Sequence, residues 1–528
     1  MMKIPETRLI VFAALAAGAI PQWAASPPDK PRGPIDPKIL PRVGTIDERF
    51  QSYNIEMVEV TGGRFWKPYD SIAKTEPSSA NQPAGMSASL YEYRQPIDLS
   101  NPRLRKLATA LSPAYVRVSG TWANTTWFHD SDDPAPGTPP AGFKGILTRQ
   151  QWKGVVDFSN AVSAPIVTSV AIGDGVRDAN GVWTPGQLGE LLAFTKSVGG
   201  AIAATEFMNE PTIPVIGGAP KGYDAAAFAR DMAVFRPFMK QASPATLILG
   251  PGGLGEGTML NGASMTLMKS EDILTATGPV FDAFSYHFYG AVSSRCGAAG
   301  MAATISPEAA LSDDWLHRAL QSEEYYAAIR DRFEPGKPIW LTETAQAACG
   351  GDRLAATFLD SFRYLNQLGA LAKAGVQVHM HNTLAASDYG LLDEKTYEPR
   401  PNYWSALLWH KLMGTTVLDA GSSPSAGVHV YAHCLPGQRG GVSLLAINTD
   451  TGKVQSLDLS LASEVYTLTA RNLQDKRLLL NGVELKLGEN DALPSLKGIA
   501  TPAGRVSLPP ASITFVSIPG ANNANCRQ

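Results

Sequence analysis

The stretch "AIAATEFMNEP" (201–211) is an apolar run that closes on a polar pair, Asn209-Glu210, and is stopped at once by Pro211. Alternating small and β-branched side chains suit a buried strand, and proline after a polar residue starts a turn. Seven similar runs occur: "YNIEMVEV" (53–60), "AYVRVSG" (114–120), "APIVTSVAIG" (164–173), "ATLILGPGG" (245–253), "FDAFSYHFYG" (281–290), "KPIWLTET" (337–344) and "VQVHMHNT" (376–383). Helix-period segments such as "RQQWKGVVDFSNAV" (149–162) and "YDAAAFARDMAVFRPFMKQA" (223–242) lie between them. Eight strand-plus-helix units in roughly 360 residues predict an α/β fold, a closed (β/α)8 TIM barrel. An open dinucleotide-binding sheet would carry a glycine-rich phosphate turn after its first strand. "VEVTGGRFW" (58–66) has two glycines but no such motif.

From about Gly414 the texture changes to short strands separated by turn residues, among them "VHVYAHC", "GVSLLAINTD" and "ASITFVSIPG". These predict a C-terminal all-β sandwich, with Asn481-Gly482 as a tight hairpin turn. The expected division is a leader over 1–26, a proline-rich lead-in over 27–51, the barrel over 52–413 and the sandwich over 414–528.

Composition limits the partners. The 528 residues carry a net charge of −3 with 18% charged side chains, so no global field draws in nucleic acid or a polyanion. Lys3 and Arg8 precede an apolar run from Leu9 to Ile20, followed by small residues near Ala24. That is the shape of a signal peptide, and the run is shorter than the ~20 residues of a membrane span. Export to the periplasm or the outside is expected, with no membrane association after the leader is removed. The four cysteines form no CxxC pair, which argues against structural zinc. In an exported chain they predict disulfides, and Cys296–Cys349 with Cys434–Cys526 keeps each bridge inside one expected domain.

In a barrel, chemistry sits where strands end. Glu210 closes the fourth strand and Glu343, in "IWLTET", closes the seventh. Hydrolysis of a glycosidic bond needs such a pair, one carboxyl protonated to assist the leaving oxygen and one ionised to attack. Glu206 lies four residues upstream of Glu210. At ~3.3 Å per residue it is expected about 13 Å down the strand and is set aside. His379 and His381 share a strand face, but no third ligand accompanies them, so no metal site is assigned. Trp152 and Trp409 lie at helical spacing and read as core, whereas Trp122, just after the second strand, is placed near the barrel mouth for sugar contact.

Three stretches carry a resemblance: "LRKLATALSPAYVRVSGT" (104–121), "EFMNEP" (206–211) and the run from "IWLTETAQAACGGD" to "LLWHKLMGT" (339–415). With "SYHFYG" after strand six, they resemble the heparanase and β-glucuronidase family, family 79 of the glycoside hydrolases. The resemblance implies a cofactor-free retaining enzyme acting on a carbohydrate substrate, with Glu210 as acid/base and Glu343 as nucleophile. It further implies that Asn209 bonds the sugar 2-hydroxyl and Tyr289 donates to Glu343. Backbone N–H groups of Gly350 and Gly351, together with Tyr389, would receive a glucuronate carboxylate. Glu56, at the end region of the first strand, is a candidate for sugar hydroxyls, and the lead-in is expected to lend a strand to the sandwich. Animal heparanases carry lysine-rich segments and an excised linker, where this chain has only the short acidic "FHDSDDPAPGTPPAGFKG" (128–145). Exo-removal of terminal β-glucuronate is therefore the favoured reading over endo-cleavage of a glycosaminoglycan. The alternatives are a barrel glycosidase of xylosidase or glucanase type, or an inactive carbohydrate-binding protein.

Overall fold

The computed structural model describes residues 34–71, 90–257, 267–296, 305–421, 423 and 425–527. The expected leader lies outside these residues. Eight parallel strands close into a barrel: β1 (Gln51–Glu56), β2 (Val116–Ser119), β3 (Ile166–Ser169), β4 (Ile202–Glu206), β5 (Leu247–Leu254), β6 (Ala283–Tyr289), β7 (Ile339–Ala345) and β8 (Val378–His381). They pair in sequence order, and β8 closes onto β1 through His379 opposite Gln51 and His381 opposite Tyr53. The expected (β/α)8 barrel is thus present, with each strand overlapping its predicted run.

Two strand ends differ from expectation. β1 stops at Glu56, and "MVEVT" turns into a short helix, Met57–Thr61. The cause is local: the Glu59 side chain takes the Glu56 backbone N–H at 2.7 Å, which caps the helix start. β4 stops at Glu206, and Phe207–Asn209 bend away instead of extending the strand. The 13 Å offset expected for Glu206 assumed an extended chain through Glu210, so that expectation is corrected below.

The C-terminal strands form an antiparallel sheet. Its path runs from Arg42–Thr45 through Thr416–Leu418, Val428–Cys434, Val442–Asn448 and Ser512–Ile518 to Ser463–Thr469. Gln455–Leu459 and Gly504–Leu508 form a separate two-stranded sheet. Strand period explains how both faces of the main sheet are covered. From Val442–Asn448, the alternate residues Val442, Leu444 and Ala446 pack with Leu457, Leu459, Val506 and Leu508 of the small sheet. Leu445 and Ile447 point the other way and join the same apolar cluster as the barrel helices. Asn481 and Gly482 both take positive φ, 50° and 83°, between Leu479–Leu480 and Val483–Glu484, as the predicted hairpin turn requires. Both expected disulfides are present, with Cα separations of 6.4 Å for Cys296–Cys349 and 5.3 Å for Cys434–Cys526. Trp152 and Trp409 are buried core residues.

Candidate active site

The polar interior of the barrel rim is organised around Arg117. It stands between Val116 and Val118 on β2, and strand alternation turns its side chain inward. Its Nη1 donates to Glu343 Oε2 at 2.8 Å and its Nη2 to Asn209 Oδ1 at 2.7 Å. Nε and Nη2 together grip Glu206 Oε2 at 3.1 and 2.8 Å. Glu206 therefore lies one guanidinium away from Glu343, not remote from it.

Glu343 is the better-held carboxylate. Tyr289, the last residue of β6, donates to Oε1 at 2.7 Å, so both oxygens are occupied by donors. Burial alone pushes this carboxyl up, but the charges of His287 and Arg117 and the two hydrogen bonds outweigh it and hold Glu343 below the ordinary carboxylate range.

Glu210 is the opposite case. Burial pushes its carboxyl up; the His287 hydrogen bond opposes the rise and the charge on Glu343 adds to it, leaving Glu210 above the ordinary range. Its backbone sits at φ 52°, a left-handed conformation that costs a non-glycine residue energy and recurs at functional sites. The loop that imposes this conformation is clamped by Asn124. Its Nδ2 donates to the carbonyls of Asn209 and Gly217 at 2.9 Å each, and its Oδ1 accepts the Asn209 N–H at 2.9 Å.

His287 on β6 stands between the two acids, with Nδ1 3.1 Å from Glu210 Oε1 and 3.8 Å from Glu343 Oε2. Burial works against its charge, but Glu343 and the Glu210 bond raise the imidazole above its usual value. One ligand atom each of Glu210, His287 and Glu343 falls within 4.8 Å of the others, a spacing that also suits a metal ion. The donor set opposes that use, because Arg117 and Tyr289 already present positive or hydrogen-bearing groups to Glu343.

The remaining candidates line the same rim. Asn382, after β8, spreads its Nδ2 over Tyr289 Oη at 3.0 Å, Glu56 Oε1 at 3.0 Å and Tyr389 Oη at 3.2 Å. Burial and the charge of Glu343 drive Glu56 well above the ordinary range, and its Oε2 is buried with no partner among the described residues. Asn209 Nδ2 is likewise buried and unpartnered. Gly120 takes φ 89°, and a Cβ there would stand 1.6 Å from Glu56 Oε2, so the close approach requires glycine. Gly350 and Gly351 both take left-handed φ, 81° and 82°. The Gly351 N–H is already donated to the Ala347 carbonyl at 3.1 Å, whereas none of the described residues accepts from the Gly350 N–H. Trp122 packs edge-on against Phe65 and lines a cavity of about 340 Å³ with Arg64, Lys144 and Gly217, which follow β1, β2 and β4 in the chain.

One barrel end thus holds one carboxyl biased to keep its proton and one biased to lose it, the division that glycoside cleavage needs. The family profile described as "Glycosyl hydrolase family 79, N-terminal domain" matches residues 88–369. The chain belongs to glycoside hydrolase family 79. It is a glycoside hydrolase, similar to other proteins of that kind along most of its length. Heparanase-like protein 1 of Arabidopsis thaliana is 26% identical over 81% of this chain and 86% of its own. Heparanase of Mus musculus is 26% identical over 81% and 88%. Baicalin-beta-D-glucuronidase of Scutellaria baicalensis is 35% identical over a shorter share, 34% and 36%. Among solved structures, a 4-O-alpha-L-rhamnosyl-beta-D-glucuronidase from Fusarium oxysporum shares the fold, with a TM-score of 0.61 at 13% identity over 92% of this chain and 99% of that one.

Within this family 79 fold, the structure brings Glu210, Glu343, Asn209, Tyr289, Tyr389 and Glu56 into one hydrogen-bonded group, with Gly350 and Gly351 on a loop beside Tyr389 and Trp122 outside that group. The sequence reading did not single out Arg117, Asn124 or Asn382, and it quoted His287 only within "SYHFYG", without a role. An arginine at an inward position of an apolar strand is a usable signal for the first.

Proposed function

We propose that this hydrolase cleaves β-linked glucuronate from glycans or glucuronides with retention of configuration, and that it removes terminal units. The observation that carries the mechanism is the spacing of the two acids, whose nearest oxygens lie within 4.8 Å. Retaining enzymes place their carboxyl groups ~5–5.5 Å apart, and inverting enzymes leave room for a water at ~6.5–9.5 Å. In this reading Glu343 attacks the anomeric carbon while Glu210 gives its proton to the leaving oxygen. Glu343 then becomes an ester, the negative charge that raised Glu210 disappears, and Glu210 is free to take a proton from the incoming water. Asn209, its Oδ1 fixed by Arg117, points an unused Nδ2 at the sugar 2-hydroxyl.

Glucuronate is favoured by the relatives, which include a baicalin β-glucuronidase and a hyaluronoglucuronidase of Hirudo nipponia. Tyr389 Oη and the Gly350 N–H are the donors we assign to its carboxylate. The Gly351 N–H, expected to share this task, is spent on Ala347, so Gly351 serves the loop's shape instead. Glu56, whose buried Oε2 has no partner among the described residues, takes a sugar hydroxyl, and Trp122 with its cavity takes the neighbouring group. Two disulfides fit an exported protein in an oxidising compartment.

The second reading, endo-cleavage of a glycosaminoglycan, is favoured by the heparanase relatives and disfavoured by the absence of lysine-rich segments in the sequence. Hydrolysis of a chromogenic β-glucuronide, compared with the matching β-glucoside and β-xyloside, tests the substrate. Cleavage of the glucoside but not the glucuronide defeats the proposal. Product sizes from a uronate oligosaccharide decide between terminal and internal attack.

A further inference from the structure

We propose that Glu206 is a positioning residue for hydrolysis: it neutralises Arg117 and aims its fork, so that one guanidinium holds Glu343 and Asn209 at once. This rests on the reading of Glu210 and Glu343 as acid/base and nucleophile.

The geometry leaves Glu206 no other occupation. It is 1% exposed and accepts four hydrogen bonds, two from Arg117 and one each from Ser285 Oγ and Thr342 Oγ1, both at 2.8 Å. Its anchors come from β6 and β7, the strands that also carry His287, Tyr289 and Glu343. A slip of Glu206 is therefore a slip of Arg117 relative to the nucleophile. With Nε and one Nη2 hydrogen fixed on Glu206, the guanidinium plane is set, and its remaining hydrogens reach Glu343 at 2.8 Å and Asn209 at 2.7 Å.

Charge gives the pair a role beyond scaffolding. Arg117 serves two carboxylates, so the group Glu206, Arg117 and Glu343 keeps one net negative charge. Without Glu206, Arg117 and Glu343 would form a neutral pair, holding the nucleophile more tightly and weakening its attack. The charged groups facing Glu210 are His287, Glu343 and Arg117. Glu206 offsets Arg117 and stands 3.9 Å from His287 Nε2, so it acts on two of them. By offsetting this positive charge, Glu206 helps Glu210 retain its proton.

Glu206→Gln preserves shape, because the amide can turn its oxygen to Arg117 and its nitrogen to the hydroxyls of Ser285 and Thr342, which accept as well as donate. The expected result, on a β-glycoside that the wild type hydrolyses, is a lower kcat with the basic limb of the kcat/KM profile shifted down by about one pH unit. Glu206→Asp keeps the charge but shortens the reach, and should lower kcat with the basic limb in place. A folded Gln variant whose basic limb matches the wild type overturns the proposal. Should the Gln variant not fold, Glu206→Asp decides, and wild-type kcat in that variant overturns it. Glu210→Gln is the control and should lose the basic limb. A wild type inactive on every β-glycoside defeats the underlying reading, whereas an active wild type with either overturning result defeats only the role of Glu206.

Discussion

Tyr289 donates its phenolic O–H to Glu343 Oε1 at 2.7 Å, while its own oxygen accepts from Asn382 Nδ2 at 3.0 Å. The bond favours the ionised form of Glu343 and, in the proposed mechanism, is released as the ester forms. Tyr289→Phe should lower kcat about 10²-fold, the scale of losing one oriented donor. Because the bond lowers the Glu343 pKa, its loss should move the acid limb of the pH profile to higher pH. An unmoved acid limb would show that Tyr289 does not tune Glu343.

The opposed acids make a second prediction about leaving groups. Glu343→Gln should abolish turnover on all substrates. Glu210→Gln should spare much more activity on substrates with good leaving groups, since these need little protonation. Steady-state rates on a nitrophenyl glycoside and on an alkyl glycoside provide the check, and equal losses on both would contradict the assignment.

Glu59 links burial to stability. Burial pushes its carboxyl up to about 8, partly offset by the Glu56 backbone hydrogen bond. An unfolded glutamate titrates near ~4.3, so between these values the folded chain holds a proton that the unfolded chain has released. Stability therefore falls as pH rises through that window. Glu59→Gln keeps an acceptor for the Glu56 N–H without the titration. Its thermal stability relative to the wild type should grow from about pH 5 to about pH 8. A constant difference across that range would contradict the assignment.

The two disulfides should separate function from stability. Cys296–Cys349 ties the segment after β6 to the residue before Gly350. Replacing both of its cysteines by serine should raise KM for a β-glucuronide more than it lowers kcat. Cys434–Cys526 ties the end of Val428–Cys434 to the C-terminal segment, and both cysteines line a cavity with Gln51 at the start of β1, the barrel end opposite the acids. Its removal should cost about 2–4 kcal/mol in denaturant unfolding and leave KM unchanged. The reverse pattern would displace Gly350 from the substrate site.

The barrel was legible because eight apolar runs alternate with helical periods, and Glu210 and Glu343 stood out as candidate acids because they are polar groups at the ends of such runs. Glu206 was misjudged for a physical reason. Counting residues along a strand presumes extension, and β4 bends immediately after Glu206 into the left-handed Glu210. Arg117 left a trace, a charge inside "YVRVSG", whose meaning depends on which carboxylates face it across the closed barrel. Asn124 and Asn382 are ordinary loop asparagines in sequence, and only the folding of loops after β2, β4 and β8 gives them partners. The occupied N–H of Gly351 is a property of one turn, beyond the reach of residue type.

Arg42–Thr45 lies ahead of every barrel strand, yet its partner is Thr416–Leu418, beyond the last of them. During synthesis this strand emerges early and its partner appears only after the whole barrel has been made. At ~5–20 residues per second the wait is tens of seconds. Until then its edge has no native neighbour, and a nascent chain halted before Thr416 should bind chaperones through a segment that the finished enzyme has paired into its sheet.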